Sequence, residues 1–222
     1  MKTTVRSIAI ALIAATAAAC GQSSPTSQAA PDATPADSPP DISGTWGARF
    51  VQSLSDNPPM LPETEKLFNE LKPEEDPLAI CKPPGIPRLM NLAFPFEIVQ
   101  TPKVVYLLME YGQHVRRVYI DGQHPENPDP TWLGHSIGHW EGRSLVIDTV
   151  GFNDQSWLDM RGHPHSEALH LIERYTLSED GQSLQYDVTI DDPEMYAKPW
   201  QSVSKTHRRS NQPILEYICE TG

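Results

Sequence analysis

The stretch "DMRGHPHSEALHLIER", Asp159 to Arg174, holds three of the chain's eight histidines, with Asp159, Glu167 and Glu173 beside them. Imidazole titrates near neutral pH, at about 6.5 when unperturbed, so a His held by a carboxylate can donate or take a proton there. Gly162 and Pro164 interrupt any strand, and the segment reads as a loop. Loops on a rigid scaffold gather binding and catalytic groups. Three readings stand open. Metal-free acid/base chemistry would use His163 and His165, with Glu167 or Asp159 orienting a ring. A divalent metal would take two imidazoles and an oxygen from His163, His165 and Glu167. In the third, the polar groups bond to one another and hold a lid.

A second group lies in "GHSIGHWEG", Gly134 to Gly142. On a strand, His135, Ile137, His139 and Glu141 share one face, because side chains alternate. A two-residue turn at Gly142-Arg143 sets Ile137 opposite Asp148. His135, His139 and Asp148 then become neighbours on one surface, which faces either a cavity or water. The expectation is that this hairpin and the histidine loop form two walls of one cavity. His163, His165, Glu167, His135, Asp148 and Asp159 are the candidate catalytic residues. Arg117, Trp132, His139, Asn153, Arg174 and Tyr106 are the candidate substrate-binding residues. Arg116 and Arg117 alternate faces, so at most one points inward, where it would meet a carboxylate. Asn153 also suits a turn. No nucleophile for a covalent hydrolase is expected.

These groups must be held by strands. "FEIVQT", "KVVYLLMEY", "HVRRVYID", "SLVIDTVGF", "EALHLIERYTL" and "SLQYDVTI" are rich in β-branched and aromatic residues, with turn residues between them. "WQSVSKTHRRS" and "PILEYICE" read as a last pair. "PETEKLFNELK", Pro62 to Lys72, reads as one short helix, with Leu61, Leu67, Phe68 and Leu71 on one face. "DPLAICKPPGIPRLMN" is too rich in Pro for regular structure. The expected fold is mainly β: an antiparallel barrel of about 8–10 strands.

Two resemblances add to this. Gly44-Thr45-Trp46 in the first strand resembles the opening motif of lipocalin-like (calycin) barrels, which implies a Trp plugging the closed end. "GHSIGHWEG", "GHPHSEALH" and "DDPEMYAKPW" resemble a family of uncharacterised secreted bacterial proteins. That likeness runs from about Ile42 to Cys219 and implies one domain, without supplying an activity.

The chain ends suggest where it works. Lys2 and Arg6 precede an apolar run, Ser7 to Ala19, and Cys20 follows. This resembles a bacterial lipoprotein signal, with residues 1–19 removed and Cys20 lipidated; an ordinary cleaved signal is the alternative. Residues 20–40 are rich in Pro, Ser and Ala and read as a disordered linker. Residues 41–222 read as a single barrel domain. The net charge of −12 becomes −14 without Lys2 and Arg6, which disfavours nucleic acid. Cys81 and Cys219 remain, and an exported chain pairs them by default. The membrane is expected as a partner only through the lipid, in the bacterial cell envelope. No cofactor is expected, a divalent metal being the alternative.

The expectation is therefore a periplasmic lipoprotein enzyme of the lyase, hydratase or isomerase kind, acting on a small apolar or aromatic molecule. The alternatives are a lipocalin-like binding or transport lipoprotein, and a metal-dependent enzyme using the His-x-His site.

Overall fold

The computed structural model describes residues 38–47 and 50–220. The leader, Cys20 and most of the linker lie outside the described residues.

Among the described residues ten strands follow one another: β1 (Gly44–Gly47), β2 (Phe96–Gln100), β3 (Val104–Met109), β4 (Val115–Ile120), β5 (His135–Glu141), β6 (Ser144–Val150), β7 (His170–Leu177), β8 (Ser183–Asp191), β9 (Trp200–Gln201) and β10 (Lys205–Ser210). Helix α1 spans Pro62–Glu70 and a short α2 spans Arg88–Asn91. Neighbours in sequence are neighbours in space from β1 to β9. β10 then pairs with both β1 and β8 and closes a nine-stranded barrel, leaving β9 on the outside edge of β8. Closure removes the open edges that β1 and β8 would otherwise present.

Every pairing is antiparallel except one. β4 and β5 run parallel, with Val118 beside Ser136 and Ile120 beside Gly138. Parallel neighbours need a crossover, and the connection from Asp121 to Gly134 supplies it. The hairpin register is the one the turn dictates: Ile137 faces Asp148 and Glu141 faces Ser144, with Gly142 at φ 57°. A left-handed residue is what such a two-residue turn requires.

Period-two alternation fills the lumen. β7 sends Leu171, Glu173, Tyr175 and Leu177 inward, and β8 sends Leu184, Tyr186, Val188 and Ile190. Trp46 is fully buried on β1, its Nε1–H donating to the Ile42 carbonyl at 3.0 Å, with the Arg209 guanidinium 4.4 Å from the ring. Fully burying such side chains contributes about 1.5–3 kcal/mol each.

Four local expectations need correction. The face of α1 that packs is Thr64, with Phe68 and Leu71 half-buried, whereas Leu67 is exposed. The Pro-rich segment does form α2, because Pro77 and Pro87 sit at turn and helix starts, where a missing N–H costs nothing. "WQSVSKTHRRS" divides into β9 and β10 rather than running on as one strand. "PILEYICE" is not a strand: its one ladder contact is the bridge Tyr217–Tyr111. Cys219 fixes that segment instead. It is bonded to Cys81, 138 positions earlier in sequence, with Cα atoms 5.5 Å apart. A loop of that length stabilises the fold by about 2–4 kcal/mol, by constraining the unfolded chain.

Candidate functional site

Parity decides which side chains the lumen receives. On β5, Ser136 and Gly138 point inward, so His135, Ile137 and His139 point out. Inside, Arg116 of β4 meets Glu173 of β7 in a fully buried ion pair: Nη1 donates to Oε1 at 3.0 Å, and Nη2 makes a short contact with Oε2. Arg116 Nε donates to Ser136 Oγ at 3.1 Å and Nη2 to Thr149 Oγ1 at 2.8 Å; Tyr186 donates its hydroxyl to Glu173 at 3.0 Å. Burial works against the Arg116 charge, and Glu173 more than offsets it, so the guanidinium's pKa is raised. Burial, then the Glu173 charge, raises the Tyr175 and Tyr186 phenols. Arg116 is thus the inward member of its pair, and its partner is a protein carboxylate.

Ser136 lies in Gly134–Gly138, a Gly-x-Ser-x-Gly spacing that the sequence reading passed over. It sits within a strand, 1% exposed, with its oxygen held by Arg116 and Thr149. A nucleophile elbow needs a strand-to-helix turn and an exposed hydroxyl. The spacing is therefore not that motif.

On the outer face, the β4–β5 crossover folds back and places His124 between two other groups. His124 Nε2 lies 3.1 Å from Asp148 Oδ1, and His124 Nδ1 lies 2.9 Å from His135 Nδ1. His170 Nε2 reaches the same Asp148 oxygen at 2.9 Å. A carboxylate only accepts, so His124 donates from Nε2. When His124 is neutral, its Nδ1 accepts and His135 donates from its own Nδ1. The wiring leaves the His135 Nε2 lone pair free. Burial, with a smaller contribution from charge on His124, lowers the His135 pKa. Tyr119 stacks on His135 at 5.4 Å. Beside them, where β4 and β5 diverge, is a cleft of about 150 Å³ lined by Val115, Arg117, Tyr119, Leu133 and His135, with Arg116, Gly134 and Ser136 behind.

Of the candidate catalytic residues, His135 and Asp148 are therefore brought together, through His124. His124 and His170 were not among the candidates. The Pro-rich crossover hid the first; only its fold-back brings it to Asp148. His170 was legible as sharing a face with Ile172 and Arg174, and the register β6–β7 sets Ile172 beside Asp148.

The histidine loop is elsewhere, and the two-walled cavity is corrected. His163 is 1% exposed and donates from Nδ1 to Asp159 Oδ2 at 2.6 Å. Its ring stacks on Phe68 of α1 at 4.7 Å. Asp159 also accepts from the backbone of Leu54 at 2.9 Å. Burial pushes its carboxyl up, but His163 and these amides outweigh that and hold it below the usual range. His165, also buried, donates from Nδ1 to the Ser166 carbonyl at 3.1 Å and accepts from Ser156 at 2.9 Å; burial lowers its pKa. Glu167 is exposed. The trio considered for a metal is thus not brought to one point, and among the described residues no three His, Cys, Asp or Glu side chains are placed to hold a metal ion. These contacts hold α1, the Leu54 segment and the loop together. His163→Ala, which leaves the buried Asp159 short of a donor, is expected to cost about 1–3 kcal/mol and to lower the melting temperature by about 3–10 °C. Calorimetry checks it; an unchanged melting point would assign the ring no structural part.

The binding candidates separate too. Arg117 lies in the outer cleft, with half-buried Tyr106 opposite it in register. His139 and Arg174 are both tied to exposed Glu141, at 3.0 and 2.7 Å. Asn153 is buried and accepts from Gln155 in a turn. Half-buried Trp132 lies under Lys82, whose ammonium is 6.0 Å from the ring.

The fold defines the class: a closed, mainly antiparallel β-barrel. No protein-family model matches the chain, and no curated protein is significantly similar to it. Among solved structures, a "REP1-NXSQ fatty acid transporter" is similar at 9% identity and a TM-score of 0.38, over 78% of this chain and 98% of that one.

Proposed function

We propose that this barrel binds a small molecule in the β4–β5 cleft and moves a proton on it, as a metal-free lyase, hydratase or isomerase. The observation that carries this is the Asp148–His124–His135 chain at the cleft, which with His124 neutral leaves the His135 Nε2 lone pair free for a ligand. His135 is the base; His124 and Asp148 hold its tautomer and spread the charge it acquires. His170 steadies Asp148. A binding or transport lipoprotein using the same cleft is the second reading, favoured by the apolar surface that Val115, Tyr119 and Leu133 present there. On either reading Cys20 carries the lipid that tethers the domain in the cell envelope, and the disulfide suits that oxidising compartment.

The test has two parts. Nitrogen-15 NMR of the folded protein should show His135 protonated at Nδ1, titrating below its ordinary range. Small carbonyl compounds with acidic C–H bonds, incubated in D2O, should exchange hydrogen with the wild type. His135→Ala should slow that exchange by about 10²–10⁴-fold with the melting point unchanged. A His135 protonated at Nε2, or exchange indifferent to His135→Ala, overturns the proton-transfer reading. Ligand binding without exchange selects the carrier.

A further inference from the structure

The outer cleft has a chemical asymmetry. Val115 and Tyr119 are each 40% exposed there, which leaves apolar surface in water with nothing of the barrel covering it. Leu133 continues that surface at half burial. Arg117 is exposed at the same cleft and makes no ion pair among the described residues, in a chain with a large excess of carboxylates. Arg174 on the same outer face is spent on Glu141, and Arg116 behind the cleft is spent on Glu173. A guanidinium left unpaired presents a planar fork of donors matched to a carboxylate. The volume is that of a single ring: a 150 Å³ cavity is known to take benzene. Asp148 is not among the lining residues, and its Oδ1 is already shared by His124 and His170, so it opposes an anion here less than a free carboxylate would.

We propose that the cleft recognises a small one-ring monocarboxylate, with the carboxylate on Arg117, the ring against Val115, Leu133 and Tyr119, and the reacting group turned to His135. This rests on the cleft being the working site.

The probes are benzoate and its neutral isostere benzamide, titrated into the folded wild-type domain by NMR. Benzoate is expected to bind about tenfold more tightly than benzamide, the value of one partly exposed charge-assisted contact. Arg117→Gln should bring benzoate down to the benzamide level without moving the melting point, since the side chain is exposed. Val115→Asn, which removes apolar surface without adding charge, should weaken both probes alike. Equal affinity of the two probes for wild type, a preference surviving Arg117→Gln, or no binding of either at millimolar concentration overturns the proposal. The arms stay separable. Loss of the benzoate preference with His135-dependent exchange intact removes the carboxylate assignment alone. A benzoate preference without any exchange removes the proton-transfer reading alone.

Discussion

Arg116→Met is expected to destabilise the barrel by about 3–5 kcal/mol, because it leaves the Glu173 carboxylate buried without its counter-charge. Both side chains are essentially sealed from water, at 1% and 0% exposure. The loss should be read by urea unfolding near neutral pH, with Glu173→Leu and the Arg116→Met, Glu173→Leu double variant completing a cycle. The double variant removes both charges and should recover at least half of the loss, since an apolar pair of similar volume is often as stable as a buried ion pair. It should not recover all of it. Ser136 and Thr149 keep each other at 3.0 Å, but Tyr186 loses its acceptor, and an unpaired buried hydroxyl costs about 1–3 kcal/mol. A single variant within about 1 kcal/mol of wild type would mean that water or another cation reaches Glu173. The pair also bears on the cleft, because Arg116 and Ser136 back the seam where β4 and β5 diverge.

Acid should unfold the domain through His207. This ring is fully buried on β10, edge-on to Phe96 at 4.9 Å and 6.0 Å from Tyr186, and neither nitrogen reaches a hydrogen-bond partner among the described residues. Burial, with the Lys205 charge adding to it, lowers its pKa to about 3. A base whose folded pKa is depressed favours the fold only while neutral. The stability it permits is whole above about pH 6.5, where the unfolded imidazole is also neutral. It is lost as pH falls toward 3, because only the unfolded chain takes up the proton. The loss across that window is on the order of 3–5 kcal/mol. Lys205, two positions away on the same face, is lowered by burial to about 7, with the Met90 carbonyl at 2.5 Å from its Nζ. Its own window lies above pH 7 and does not overlap. His207→Phe should keep the aromatic packing and flatten the acid limb. The stability difference between variant and wild type should therefore grow between pH 6.5 and 3. A difference that stays constant with pH would show that the ring protonates in place.

Much of this barrel was legible in the sequence. Period-two patterning gave β4 to β8, and the Gly142-Arg143 turn set Ile137 opposite Asp148, because both follow from local backbone geometry. The Cys81–Cys219 pair followed from count and compartment. Patterning also sorted Arg116 from Arg117 and Leu171, Glu173 and Tyr175 from His170, Ile172 and Arg174, but only into two sets. Which set faces the lumen is decided when β10 closes against β1 and β8, a contact between the two ends of the domain. Closure put Arg116 on Glu173, 57 positions away, and turned His135 and Asp148 outward. The parallel β4–β5 pair could not be read from alternation, which is the same in either direction. That pairing forces the crossover that carries His124 onto Asp148. Likewise "GHPHSE" carries the residue types of a catalytic loop. The His163 ring is buried because Phe68 of α1 and Trp200, remote in sequence, pack on it. Residue type and spacing fix which chemistry a side chain can do; burial and partners, which come from long-range packing, fix whether it does it.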